Sequence, residues 1–309
     1  MDLPDRFVGC FLGLALGDAL GAPHEGGPFE KLAWRLICLP HGDLLRWTDD
    51  TQMTMGLAES LIEKDGVDCD HLAQGWARRL EVLRGYGPST RRILAAVRAG
   101  RPWREAGRAL FPQGSFGNGA AMRAAPIGLF FRDEPLLMED AAIRSSEITH
   151  AHPLGVEGGV LMARAAALTL RPDFSPKGFL ESLLAGARAE EYRARLRQAL
   201  AWLGRDPSAA EVRRVLGSSV RAHESAVTAL YCFCRFPGDF GAMAEFSLSL
   251  DGDTDTLLSM AGGLFGARNG SPALPHDLLA RLEARDELER LARALCAKRP
   301  PPLGARLSP

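Results

Sequence analysis

The sequence predicts an all-α protein, and three observations carry that prediction. Apolar residues recur at helical spacing in one stretch after another. No run of alternating β-branched residues marks a strand; Leu36-Ile37-Cys38-Leu39 is the nearest approach, and it is short. No fixed-period repeat runs through the chain, so a solenoid is not expected. At 309 residues there is material for a sizeable core, and no low-complexity linker divides it. One compact domain is expected over residues 1–299, followed by a proline-rich, disordered tail over 300–309.

The elements follow in order. Between Phe7 and Gly21 apolar residues sit at helical spacing, and Gly9, Gly13, Gly17 and Gly21 recur every fourth position. Each glycine costs about 1 kcal/mol against alanine, a cost a helix bears when a neighbour packs nearly backbone to backbone. Gly21 also reads as the helix end. Asp18 in this apolar face needs a partner, because an unpaired buried carboxylate is expensive. Ala22 to Pro28 is rich in breakers and reads as a loop carrying Glu25. Helices are then predicted over 53–64, 70–84 (Leu72, Trp76, Leu80 and Leu83 on one face) and from Ser89 to Gly100. Further helical patterns cover 120–131, 136–149, 154–170, 176–186, 189–203, 207–216, 223–235, 239–250, 255–268 and 277–298. The arginine-rich stretch 188–221 reads as a solvated excursion on the surface.

Composition narrows the function classes. A net charge of -1 and a pI near 6.7 argue against a general electrostatic nucleic-acid binder. The six cysteines form no CxxC pair and read as buried free thiols of a reducing compartment. The N-terminus lacks the basic region of a signal peptide, and the apolar run behind it is interrupted by Asp18. That run reads as too short to span a bilayer. A cytoplasmic protein with no membrane partner is expected, its oligomeric state open with a monomer favoured.

Two acidic clusters carry the chemistry. Thr48-Asp49-Asp50-Thr51 and Asp253-Thr254-Asp255-Thr256 each open an apolar helix, and either alone reads as an N-cap. Together they suggest a divided metal site. Carboxylates and hydroxyls are hard oxygen donors suited to Mg²⁺, Mn²⁺ or Ca²⁺. Asp49, Asp50, Asp253 and Asp255 carry four negative charges, which two divalent ions would balance. Two carboxylates held ~4 Å apart repel by about 4 kcal/mol at an effective dielectric of 20, and a helix N-terminus relieves only about 0.3–1 kcal/mol per charge. Between the clusters, Gly114-Ser115-Phe116-Gly117-Asn118-Gly119 is a glycine-rich loop entering a helix, suited to an anion or simply to a tight turn. It lacks the Gly-Lys-Ser/Thr of a P-loop and no strand precedes it. His150 and His152 read as a junction cap or as a single ligand contact, because nothing nearby completes a zinc set. Cys232-Phe233-Cys234, Trp47 and Trp103 read as core or rim packing.

In this order the pieces resemble the ADP-ribosylglycohydrolase family. The matching motifs are Gly17-Asp18-Ala19-Leu20-Gly21, Thr48-Asp49-Asp50-Thr51, Gly117-Asn118-Gly119-Ala120-Ala121-Met122-Arg123, Thr149-His150-Ala151-His152 and Gly252-Asp253-Thr254-Asp255-Thr256. The resemblance implies a single orthogonal multi-helix bundle with a binuclear Mg²⁺ or Mn²⁺ centre. It assigns Thr48, Asp49, Asp50, Asp253, Asp255 and Thr256 as metal ligands. Ser115, Phe116, Gly117, Asn118, Gly119 and His150 would hold the substrate, with Phe116 on adenine and backbone amides on the diphosphate. Glu25 or Asp50 would take the proton of an attacking water. The implied activity is hydrolysis of the N- or O-glycosidic bond joining ADP-ribose to a serine or arginine side chain, or to a related conjugate. ADP-ribose and ADP-ribosylated proteins would be the partners. The competing readings are a non-catalytic ADP-ribose binder, as in the family's lens crystallins, and a metal-dependent nucleotide phosphohydrolase. Asp251, where glycine is common in the family, departs from the pattern and is expected to alter local charge.

Overall fold

The computed structural model describes residues 2–298, so the tail expected at 300–309 lies outside the described residues. Among them there is no strand, only two isolated bridges, Leu45–Leu282 and Gly117–Arg221. The helices of the first half are α1 (Leu3–Gly21), α2 (Pro28–Cys38), α3 (Asp49–Lys64), α4 (Cys69–Arg79), α5 (Pro88–Arg98), α6 (Trp103–Leu110), α7 (Ala125–Phe130) and α8 (Pro135–Glu147). Next come α9 (Pro153–Thr169), α10 (Pro176–Gly186), α11 (Glu190–Trp202), α12 (Ala209–Val215) and α13 (Ala222–Arg235). The chain closes with α14 (Phe240–Leu248), α15 (Thr254–Asn269), α16 (His276–Leu279) and α17 (Arg285–Ala297). The all-α prediction holds.

At the centre lie α1 and α15. Every residue of α1 from Phe7 to Ala19 is buried, as suits a helix that is apolar around its circumference. The run Leu3–His24 is in fact long and apolar enough to cross a membrane, contrary to the reading from its sequence, but 83% of its apolar window is buried inside the protein. It is a core helix. α15 runs antiparallel to it at backbone contact. A Cβ placed on Gly9 would lie 2.6 Å from the Gly270 carbonyl carbon, and one on Gly17 2.6 Å from that of Leu258. A Cβ on Gly21 would lie 2.6 Å from the Asp255 nitrogen. The four-residue glycine stripe therefore does what its spacing predicts, and Gly21 both ends α1 and touches α15. The pairing aligns the C-terminus of α1 with the N-terminus of α15, and α3, α9, α13, α14 and α17 pack around the two.

Six stretches depart from the sequence reading. α2 occupies a stretch to which the sequence reading assigns no helix, with Leu36-Ile37-Cys38 as its last turn; it buries Trp34 but leaves Phe29, Leu32 and Leu36 exposed. The helix expected over 70–84 stops at Arg79, and Leu83 is exposed. The pattern over 120–131 divides into a 3-10 turn and the short α7. That over 277–298 breaks at Ala284, which takes a left-handed φ of 55°. α6 was not anticipated. The 188–221 stretch is only partly solvated, since Tyr192, Leu196, Trp202, Val212 and Leu216 are buried. All six cysteines are free thiols, with Cys10, Cys232 and Cys234 buried and the other three partly exposed.

Candidate active site

The start of α3 is built by a residue from another helix. Thr48 is the N-cap, its hydroxyl accepting from the Asp50 amide at 3.3 Å. The completely buried Asp18 of α1 supplies the rest. Its carboxylate accepts from the Thr48 amide at 2.9 Å, the Thr51 amide at 3.0 Å and the Thr51 hydroxyl at 2.6 Å. An acid at a helix N-terminus satisfies amides that have no intrahelical partner. Asp18 thus has the partners that its burial demands. With the first-turn amides occupied in this way, the Asp50 carboxylate is free to face elsewhere, and its Oδ2 is buried without a hydrogen-bond partner.

Across from it stands the start of α15. Asp253 occupies the N-cap position but does not cap its own helix. Its carboxylate instead accepts from the Asn118 amide, which also donates to the Ser225 hydroxyl at 3.0 Å. The Thr254 hydroxyl donates to the Gly21 carbonyl at 3.1 Å, tying α15 to the end of α1. The Thr256 hydroxyl reaches Asp50 Oδ1 at 3.5 Å, so the two acidic helix starts face each other. Glu25 comes from the loop after α1, which is held by the Gly26 amide on the Gly252 carbonyl at 3.4 Å. One oxygen each of Glu25, Asp253 and Asp255 lie within 4.8 Å of one another.

Electrostatics sharpen the picture. Burial, followed by the charges of Asp18 and Asp49, holds Asp50 well above the usual carboxylate range. Burial and then Glu25 and Asp253 do the same to Asp255. Burial and Asp253 push Glu25 up to about 7. Asp255 Oδ1, like Asp50 Oδ2, is buried and unpartnered. A buried carboxylate oxygen without a donor is costly, and two of them inside an all-oxygen cluster fit hard divalent cations. Asp49, partly exposed, and Thr48 flank the same cluster.

The glycine-rich loop borders this cluster. It is fastened by the Asn118 amide on the Val220 carbonyl at 2.9 Å and by the Ala222 amide on the Phe116 carbonyl at 3.0 Å. The Ser115 hydroxyl accepts from the Gly117 amide at 3.2 Å. Phe116 stands exposed at the rim, its ring centroid 5.3 Å from that of His152. His150 is buried beneath the loop, and a Cβ on Gly119 would lie 2.8 Å from its Nε2, so glycine is required there. A cavity of about 270 Å³ opens behind the loop, lined by Trp103, Arg104, Phe111, Gly114, Ser115 and Thr149 among others.

The structure brings Asp50, Thr256, Asp253, Asp255 and Glu25 together, and Asn118 ties the glycine-rich loop to them. The Asn118 side-chain amide serves the acidic cluster, while its backbone N–H fastens the loop. His152 is an N-cap, its Nδ1 accepting from the Leu154 amide at 3.2 Å. Asp251 adds no charge to the cluster, because it is exposed and paired with Arg213 at 2.7 Å. The structure adds Asp18, whose role needed knowledge of a cross-helix contact, and the 217–221 loop, whose Ser218 carbonyl accepts from the Asp253 amide at 2.9 Å. It also adds Arg123, fully buried with its guanidinium 4.3 Å from the Trp76 ring. The motif containing Arg123 was the one signal for it.

Comparison with known proteins agrees with this arrangement. The family model for ADP-ribosylglycohydrolase matches residues 1–302. ADP-ribosylhydrolase ARH3 of Mus musculus is 32% identical, the match covering 94% of this chain and 90% of that protein. The Homo sapiens ARH3 is 31% identical over 94% of this chain and 92% of its own. An uncharacterized Escherichia coli protein, YegU, is 31% identical over 96% and 97% of the two chains. A solved structure described as an ADP-ribosylglycohydrolase-related protein complex is 29% identical, covers 95% of this chain and 97% of its own, and superposes with a TM-score of 0.72. The chain belongs to the ADP-ribosylglycohydrolase family, a family of glycosyl-bond hydrolases.

Proposed function

We propose that this protein is a Mg²⁺- or Mn²⁺-dependent ADP-ribosylhydrolase that cleaves the glycosidic bond between ADP-ribose and a serine or arginine side chain, or a related conjugate. The observation that carries the reading is the pair of buried, unpartnered oxygens, Asp50 Oδ2 and Asp255 Oδ1, on two helix starts that face each other. Thr48, Asp49, Asp50, Asp253, Asp255 and Thr256 supply the oxygen donors for two divalent cations. When bound, these cations neutralise the acidic cluster, polarise the ribose hydroxyls and lower the pKa of water.

The chain's own residues do the remainder. Ser115, Phe116, Gly117 and Gly119 form the loop that would take the ADP half, with Phe116 offering an exposed ring to adenine. The Asn118 amide orients Asp253 within the cluster. Glu25 is the one clustered acid on a loop and only partly buried, so it is the group that can reach a water approaching the anomeric carbon. It accepts the proton as the sugar passes through an oxocarbenium-like state.

The test is release of free ADP-ribose from peptides carrying defined serine and arginine linkages, assayed in Mg²⁺, in Mn²⁺ and in EDTA. Release in either metal that stops in EDTA supports the proposal. Tight binding of ADP-ribose without release would favour a non-catalytic binder, and liberation of phosphate from nucleotides would favour a phosphohydrolase.

A further inference from the structure

Beneath the glycine-rich loop lies a chain of polar contacts that the reaction outlined above does not use. The guanidinium of Arg123 is fully buried. It donates to the Gly119 carbonyl at 2.6 Å, the Ser145 carbonyl at 3.1 Å and the Thr149 hydroxyl oxygen at 2.9 Å. That same oxygen lies 2.7 Å from His150 Nδ1.

The inventory of protons decides the direction of the last bond. A guanidinium only donates, and a threonine hydroxyl has a single proton to give. Thr149 Oγ1 therefore accepts from Arg123. Were His150 Nδ1 also to donate to it, the hydroxyl proton would be left without an acceptor in a buried site, at a cost comparable to a lost hydrogen bond. With the hydroxyl donating to Nδ1 instead, both the hydroxyl proton and the Nδ1 lone pair are satisfied. The imidazole then carries its proton on Nε2. Burial and the nearby Arg123 charge push the His150 pKa down to about 3, which keeps the ring neutral.

Nε2 is the end that faces the loop. A Cβ on Gly117 would lie 3.3 Å from it and one on Gly119 2.8 Å, so both glycines make room for this nitrogen. Among the described residues Nε2 meets no hydrogen-bond partner, although His150 is only 5% exposed.

We propose that Arg123 and Thr149 are positioning residues that lock His150 as a neutral Nε2–H donor aimed into the loop. In the other tautomer Nε2 would offer a lone pair, repelling the oxygen of an anionic ligand. An imidazolium would bind anions more strongly but would change with pH. The locked form supplies one directional hydrogen bond to a ligand oxygen that stays constant across the neutral range. That the oxygen belongs to the diphosphate-ribose part of ADP-ribose rests on the function proposed above; the tautomer does not.

The experiment combines two readouts on the full chain in Mg²⁺: ¹⁵N-resolved imidazole spectra and the affinity for ADP-ribose. Wild type should show His150 with a protonated Nε2 and a lone pair on Nδ1, with or without ligand. Thr149→Val should redistribute the tautomers and weaken ADP-ribose binding about tenfold, the worth of one net hydrogen bond. Thr149→Ser, which keeps the hydroxyl, should retain both properties. A wild-type ring protonated on Nδ1, or a folded Thr149→Val protein with unchanged spectra and affinity, would overturn the proposal. A wild type that shows the Nε2–H form yet fails to bind ADP-ribose would support the lock and sink the substrate reading.

Discussion

Replacing Gly17 by alanine tests the central helix pair and the site it supports in one protein. A Cβ there would lie 2.6 Å from the Leu258 carbonyl carbon and 3.0 Å from the Ser259 nitrogen, both backbone atoms that cannot rotate aside. The Leu258 carbonyl oxygen is nearer still, and ordinary contact begins near 3.4 Å, so α1 and α15 must separate by roughly 1 Å or more. Overpacking of this kind costs about 1–3 kcal/mol, while alanine returns about 1 kcal/mol of helix propensity. With backbone on both sides the upper end applies, for a net loss of about 2 kcal/mol. In a chain of this size that lowers Tm by about 3 °C. Gly75 in α4 provides the opposite case, because a Cβ there meets nothing within 4 Å. Gly75→Ala should raise Tm by about 2 °C from propensity alone. Thermal unfolding in EDTA and in Mg²⁺ reads both. Asp18 follows Gly17 directly and holds the first turn of α3, so under the proposed function Gly17→Ala should also reduce the stabilisation expected from added Mg²⁺. A Gly17→Ala protein as stable as wild type would refute the backbone-to-backbone packing.

Three more predictions follow from the same geometry. Asp18→Asn sets an amide against the donors of Thr48 and Thr51 and should cost about 1–3 kcal/mol in urea unfolding. Phe116→Ala should leave stability within about 0.5 kcal/mol, as befits an exposed rim residue, yet weaken ADP-ribose binding about tenfold or more through lost stacking; unchanged affinity in a calorimetric titration would remove Phe116 from the site. In EDTA the protein should lose stability as pH rises from about 4 to 7. Asp18 (to about 6) and Glu25 (to about 7) bind protons in the folded chain that the unfolded chain, with carboxylates near their ordinary values, has already released. His150, lowered to about 3, opposes this with a single proton between about 3 and 6.5. Urea midpoints should therefore be higher at about pH 5 than at about pH 7.5 without metal, and Mg²⁺ should reduce or reverse the difference; a rising midpoint in EDTA would contradict the acidic-cluster account.

How much of this was legible in the sequence depended on whether a feature is local. The glycine stripe, the two acid-and-threonine helix starts and most of the amphipathic helices are written in spacing, and they stand where the spacing puts them. α2 escaped because it follows the breakers Gly26-Gly27-Pro28 and buries Trp34 alone, leaving Phe29, Leu32 and Leu36 in solvent. The break at Ala284 carries no glycine or proline, and the nearby Leu45–Leu282 bridge comes from a remote segment. Within the site, the acids and the loop were readable as types. Their orientation was not. Asn118 turns to Asp253, Asp18 caps a helix other than its own, and Ser218 offers a carbonyl to Asp253, all through contacts between distant parts of the chain. Arg123 lay within a recognisable motif, yet only its burial against Thr149 and Trp76 gives it a task.

The helix starts at Thr48 and Asp253 are held here to form one cradle for two cations, and Mn²⁺ titration followed by electron paramagnetic resonance tests that claim most directly. The account predicts two Mn²⁺ ions per chain, close enough to couple magnetically, with the coupled signal lost in both Asp50→Asn and Asp255→Asn. One ion or none per chain, or two uncoupled ions unaffected by those substitutions, would contradict it.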